Sequence, residues 1–319
     1  MFPGGPNPIQ VQFVPPYKQA SSPHPLVFIH DGGGTVFSYF ILGALNRDVW
    51  AIYNPKYFAG EAWEGGMDEM ARHYIDLIVE AGVTGSILLG GWSLGGFLSL
   101  TIARMLAEDP SKKLSVAGFL IIDSPYHIAR AKLTQKTTRS KIDGIPPLVQ
   151  KAFDNCDVML RHWDLPSWDG PSDGGKETKL RAGGRGFTLQ PGTVLHKPLN
   201  EAWKEVGVKQ YQHESTVDKP IAPPPGVMIR CTRHTQKAEG AGPEPALIDI
   251  FRDETLLGWE GNHADFLKAV IDVDADHYGI FDRDDQSKME ALTSQVNAGL
   301  EILDSITGPC QTKSTFAFF

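Results

Sequence analysis

Cysteine is scarce in this chain of 319 residues. Its three copies, Cys156, Cys231 and Cys310, are widely spaced and form no C-x-x-C pair. That pattern excludes a disulfide framework and fits free thiols in a reducing compartment. Basic charge is not in excess either. A net charge of −8 argues against nucleic acid as the main partner. Long apolar runs are missing; the longest, around Val116 to Ile122, is strand-sized and too short to span a bilayer. The opening MFPGGPNPIQ lacks the basic region and apolar core of a secretory signal. With no H-E-x-x-H and no Cys/His cluster, metal ligation is not expected. What is present, 41% hydrophobic and 21% charged residues, is ordinary for a globular protein that buries a core. A cytoplasmic enzyme with no membrane and no nucleic-acid partner is the expected class.

The most informative stretch runs from Ser86 to Phe97, SILLGGWSLGGF. An apolar strand-like run meets Gly91-Trp92-Ser93-Leu94-Gly95, and a helical pattern follows. This is a G-x-S-x-G nucleophile elbow in its required context of strand, sharp turn and helix. Gly91 and Gly95 stand where a Cβ would clash with neighbouring backbone. The plain alternative is a glycine-rich turn with an incidental serine.

Residues 1–24 read as an N-terminal extension rich in Pro and Gly, with one short alternating run at Ile9–Val14. Strands are expected at Leu26–Ile29, Val49–Tyr53, the elbow strand, Val116–Ile122, Gly226–Cys231 and Ala269–Val273. Helices are expected at Val36–Leu45, Met67–Ala81, Leu94–Ala107, Pro147–Leu160 and Ser287–Leu303. In Met67–Ala81 the apolar face is Met70, Tyr74, Ile75, Ile78 and Val79. Strict alternation up to Ile122 implies an α/β fold, its mostly parallel sheet covered by helices on both faces. The core is therefore placed at 25–125 and 223–305, with 306–319 a tail of no clear role. Between the two core parts, 126–222 breaks the alternation. Its Ser172–Gly186 run, crowded with Gly, Lys and Arg, suggests a mobile lid or insertion.

A serine hydroxyl needs an imidazole to take its proton, and the imidazole needs a carboxylate to fix its tautomer. The expected chain order is Ser, acid, His, each at the carboxyl end of a strand. Of ten histidines, His277 alone follows a strand late in the chain. His30 and His263 fit scaffold roles better, and His127 is a minor competitor. The acid is Asp123, directly at the end of its strand, although an Asp before Ser-Pro also suits a plain turn. Asp253 and Glu254 are the reserves. A tetrahedral oxyanion needs two N–H donors. Leu94, just after the nucleophile, supplies one, and the loop around Gly33 (Gly32 to Thr35) supplies the other.

These residues resemble the thioesterase family of polyketide and nonribosomal peptide synthetases, within the α/β-hydrolases. The similar segments are F-I-H-D-G-G-G-T (28–35), G-G-W-S-L-G-G (90–96), L-I-I-D-S-P (120–125), L-G-W-E (257–260) and A-D-H-Y (275–278). An acid at Asp123 together with L-G-W-E is similar to the fungal polyketide-synthase type. By that resemblance Ser93, Asp123 and His277 form a triad, and 126–222 is a lid over an acyl channel. Asp276 and Tyr278 depart from the glycine and phenylalanine the family often has there.

The implied reaction is transfer of a polyketide or peptide acyl chain from a carrier-protein thioester, through an acyl-serine, in secondary-metabolite biosynthesis. No cofactor is implied beyond the phosphopantetheine of the acyl carrier protein. Starting at Met without a carrier or condensation segment, the chain is expected to be a free-standing relative or an excised domain. The basic run Arg130, Lys132, Lys136, Arg139 and Lys141 suggests a docking patch for that acidic carrier, or simply a solvated face. Two other readings stay open: a carboxylesterase or lipase acting on oxygen esters, and a non-catalytic hydrolase-like binding module.

Overall fold

The computed structural model describes residues 4–14, 22–109, 111–142, 144–211 and 221–308. Most of the expected tail, with Cys310, lies outside them. The chain opens with β1 (Ile9–Gln12), β2 (Leu26–Ile29), a single turn α1 (Phe37–Phe40) and β3 (Val49–Ile52). Then come α2 (Gly66–Glu80), β4 (Gly85–Trp92), α3 (Leu94–Glu108) and β5 (Leu114–Ile122). A cap segment carries α4 (Pro147–Met159), followed by β6 (Thr178–Ala182), β7 (Arg185–Leu189), β8 (Thr193–Lys197) and β9 (Lys204–Gly207). The chain closes with β10 (Gly226–Cys231), β11 (Leu267–Val273) and α5 (Gln286–Thr307).

Nine strands form one sheet in the order β1-β3-β2-β4-β5-β10-β11-β8-β9. All its neighbours run parallel except the two edge pairs, β1 with β3 and β8 with β9. Successive side chains of the central strands feed opposite cores, as the two-residue period requires. Val27, Ile29, Leu89, Phe119 and Ile121 pack under α2 and α3. Leu26, Phe28, Leu88, Leu120 and Ile122 pack on the other face, which α5 covers. This is why the central strands read as unbroken apolar runs. Asp285 caps α5 by accepting hydrogen bonds from the Ser287 and Lys288 amides at 3.1 and 3.2 Å. No helix among the described residues is long and apolar enough to cross a membrane.

Four expectations change. The helix expected at Val36–Leu45 is a single turn, Phe37–Phe40. On α2, Val79 leaves the apolar face and is 40% exposed, while Met67 and Ala71 join it. The Ser172–Gly186 run is not structureless. It enters the β6–β7 hairpin, whose two-residue turn, Gly183-Gly184, has both φ positive, as tight hairpins favour. Leu180, Ala182 and Leu189 are buried, and the Gly183 and Gly184 amides donate to Glu301 on α5 at 3.1 and 3.2 Å. Finally, β8 and β9 extend the main sheet beyond β11, so 126–222 is not one lid. Among its described residues, those that line the cavity at Ser93 run from Tyr126 to Leu160.

Candidate active site

The elbow forms because three glycines leave room for close neighbours. A Cβ on Gly91 would sit 2.6 Å from the Ile29 carbonyl oxygen, and one on Gly95 only 2.4 Å from it. A Cβ on Gly96 would meet the Ser124 hydroxyl at 2.3 Å. Packed this closely, the turn holds Ser93 at φ 56°, ψ −116°, a conformation that is strained for any residue with a side chain. Braces surround it. Tyr39 donates to the Ile29 carbonyl at 2.6 Å and accepts from the Trp92 amide at 3.0 Å. Ser124 donates to the Ser93 carbonyl at 2.6 Å.

Strand order brings the other two groups alongside. Asp123 leaves the end of β5, next to β4, at φ 43°. His277 follows β11. The His277 Nε2 lies 3.0 Å from the Ser93 Oγ, and its Nδ1 lies 2.7 Å from Asp123 Oδ2. With the carboxylate on one side, Nδ1 carries the proton and Nε2 is free to accept the serine's. The imidazole leans on Trp92, with ring centroids 5.4 Å apart.

Arg252 was not anticipated by the sequence reading. It is buried, and its guanidinium donates to Asp123 Oδ1 at 2.6 Å and Oδ2 at 3.0 Å. The Cys231 amide donates to Oδ1 at 2.8 Å. Burial alone opposes ionisation of Asp123, but the His277 hydrogen bond and the Arg252 charge outweigh it, holding the carboxyl well below the usual range. Arg252 is itself fixed by Asp249, Nε to Oδ1 at 3.0 Å. The L-G-W-E motif does similar bracing work. The Trp259 indole donates to the Ser124 carbonyl and the Tyr126 amide to the Leu257 carbonyl, both at 2.8 Å. Arg252→Leu would strand two buried carboxylates, Asp123 and Asp249, without their shared cation. Folding stability should drop by about 3–5 kcal/mol. A lower denaturant midpoint checks this, with Arg252→Lys falling between because an ammonium lacks the fork.

The remaining candidates sort clearly. Asp253 is exposed and pairs with His234 at 3.0 Å, and Glu254 is exposed too, so neither reserve acid meets His277. His127 holds the cap, its Nε2 2.9 Å from the Trp163 carbonyl and its ring against Phe97. His30 is buried against the Tyr74 hydroxyl at 2.5 Å, and burial pushes its pKa down to about 4. His263 packs between Trp259 and Phe266. Cys156 is no competing nucleophile, since burial pushes its thiol up to about 12. Asp276 closes the histidine loop by accepting from the Tyr278 and Gly279 amides at 3.0 and 2.9 Å. The Tyr278 ring stands edge-on to the His277 imidazole, with centroids 5.0 Å apart.

The triad opens on a cavity of about 650 Å³, walled by the cap and by α4. Leu94, at the N-terminus of α3, lines it. Gly33 is not among the lining residues of its loop, which are Asp31 and Gly32. Of the basic run, Arg130 and Lys132 are spent on Asp157 and Asp164, each at 2.5 Å. Lys136 and Arg139 remain exposed, Arg139 at the cavity.

Residues 24–157 match the thioesterase domain model. The probable thioesterase KK1J of Curvularia clavata is 45% identical over 284 residues, which cover 89% of this chain and 91% of that protein. The probable thioesterase lcsE of Purpureocillium lilacinum is 42% identical, over 96% of this chain and 99% of its own. Among solved structures, the NocB thioesterase domain from the nocardicin cluster aligns over 88% of this chain and 95% of that one. Its TM-score is 0.52 at 15% identity, a likeness of fold. With relatives this similar over nearly its whole length, the chain belongs to the thioesterase family.

Proposed function

We propose that this thioesterase releases or edits a polyketide or peptide acyl chain carried on the phosphopantetheine of an acyl carrier protein, in secondary-metabolite biosynthesis. The observation that carries the reading is the unbroken hydrogen-bonded line Ser93–His277–Asp123 at the floor of a large cavity. Ser93 Oγ attacks the thioester carbonyl and gives its proton to His277 Nε2. The oxyanion is met by the Leu94 amide and by backbone N–H of the Asp31–Gly32 loop. The C–S bond then breaks, and the departing thiolate takes the proton from His277. Water or a nucleophile on the chain opens the acyl-serine in the same way, with His277 as base and Ser93 regaining its proton. The protein needs no cofactor of its own for this. Exposed Lys136 and Arg139 are the cations of the run proposed to face an acidic carrier.

Rates on matched acyl thioester and oxygen-ester substrates test the reading, with released products identified by mass spectrometry. The thioester should be the faster substrate, and Ser93 should take up a fluorophosphonate label. A faster oxygen ester would make the protein a carboxylesterase or lipase. No label would return it to a binding module.

A further inference from the structure

The loop beside the nucleophile carries a carboxyl group that the two-step reaction does not use. Strands β2 and β4 run parallel with Ile29 opposite Gly91, so Asp31 and Ser93, each two residues further on, leave the sheet side by side. Both residues then stand beyond the carboxyl ends of neighbouring strands. Both line the same cavity. Two other carboxylates reach its wall, but Asp157 is exposed and paired with Arg130, and Asp154 is exposed and takes the Gln150 amide. Asp31 differs from both. It is only partly exposed, and that exposure is to the cavity. No cation among the described residues balances it; its polar partners are backbone amides. Burial accordingly raises its pKa to about 7.

A desolvated carboxyl at the wall of a binding cavity is incomplete until something donates to it. Its place fixes what that can be. With the Asp31–Gly32 loop supplying an oxyanion donor as proposed, a side chain of one methylene at Asp31 reaches only atoms within two bonds or so of the reacting carbonyl. We infer that Asp31 is a specificity-determining residue that accepts a hydrogen bond from a hydroxyl or amine on the α- or β-carbon of the acyl chain. The preferred substrates are then hydroxyacyl or aminoacyl thioesters rather than plain alkanoyl ones. The inference rests on the thioesterase reading above.

The test compares N-acetylcysteamine thioesters of octanoate, β-hydroxyoctanoate and β-aminooctanoate. The readout is the rate at which each acylates Ser93, followed by intact-protein mass spectrometry. At least one donor-bearing chain should react about tenfold or more faster than octanoate, the value of a hydrogen bond to a charged group. Which of the two does so identifies the donor. The preference should grow as pH rises through about 7, where the carboxyl becomes the stronger acceptor. Asp31→Leu should bring the ratio close to one. Asp31→Asn keeps an acceptor for the loop amides, so it covers the case in which the leucine variant fails to fold. It should retain part of the preference with no pH dependence. A wild-type ratio near one for both donors, or a preference that survives in Asp31→Leu, overturns the assignment. Fluorophosphonate labelling of Ser93 runs alongside. Loss of labelling in the wild type defeats the thioesterase reading itself, whereas normal labelling with a flat ratio defeats only the role of Asp31.

Discussion

Replacing Ser93 by alanine should lower turnover of a thioester by about 10⁶-fold, the scale seen when a triad nucleophile is removed. Trp92 and Leu94, its neighbours in the elbow, offer no nucleophilic side chain. The nearest thiol in the cavity wall, Cys156, is held protonated by burial. Folding should hardly change, because alanine keeps a Cβ in the same strained conformation, where φ is 56°. Ser93→Gly separates the two effects. It should be equally inactive yet more stable by about 1 kcal/mol, because glycine tolerates that conformation. Steady-state kinetics and denaturant midpoints on the three proteins check this. Substantial residual activity in both variants would place the nucleophile elsewhere.

The elbow was legible in the sequence because its constraints are local. Gly91, Gly95 and Gly96 answer to backbone and side chains that any strand-turn-helix of this shape brings near. Asp123 and His277 were legible for a related reason, since each ends a strongly apolar strand at the same edge of a parallel sheet. Arg252 was not. Nothing local distinguishes it in F-R-D-E-T, where the reading singled out only its neighbours Asp253 and Glu254, as reserve acids, which the chain turns outward. Its role comes from contact with a carboxylate 129 residues away. The β6–β7 hairpin was missed because its outward side chains are charged and its turn is Gly-Gly, so it resembled a loop. The apolar residues Leu180, Ala182 and Leu189 alternate, and α5 supplies the surface that makes a sheet of them. Strands β8 and β9 are short and sit on the sheet's margin, where tertiary pairing outweighs any signal from the strand itself.

Asp123→Asn should cost about 10⁴-fold in turnover, and the network around it shows how. Each carboxylate oxygen now accepts two hydrogen bonds. Oδ1 takes the Arg252 guanidinium and the Cys231 amide, while Oδ2 takes the second guanidinium nitrogen and His277 Nδ1. An asparagine must put its NH₂ at one of these places. At the first it would face two donors, so it settles at the second and donates to His277 Nδ1. The proton then moves to Nε2, which can no longer accept from Ser93. Folding should suffer less than in Arg252→Leu, because Asp249 still balances the arginine at 3.0 Å. The pH dependence of stability provides a second readout. In the wild type the folded Asp123 pKa lies below its unfolded value, near 4, so its stabilisation is complete above that pH and drains away as pH falls. The asparagine variant should lack that part of the slope. Asp253→Asn is the control: exposed and bonded only to His234, it should leave turnover within about twofold, because surface positions away from the chemistry rarely matter. Near-normal activity in Asp123→Asn would show that another group orients His277 and that Arg252 guards a purely structural carboxylate.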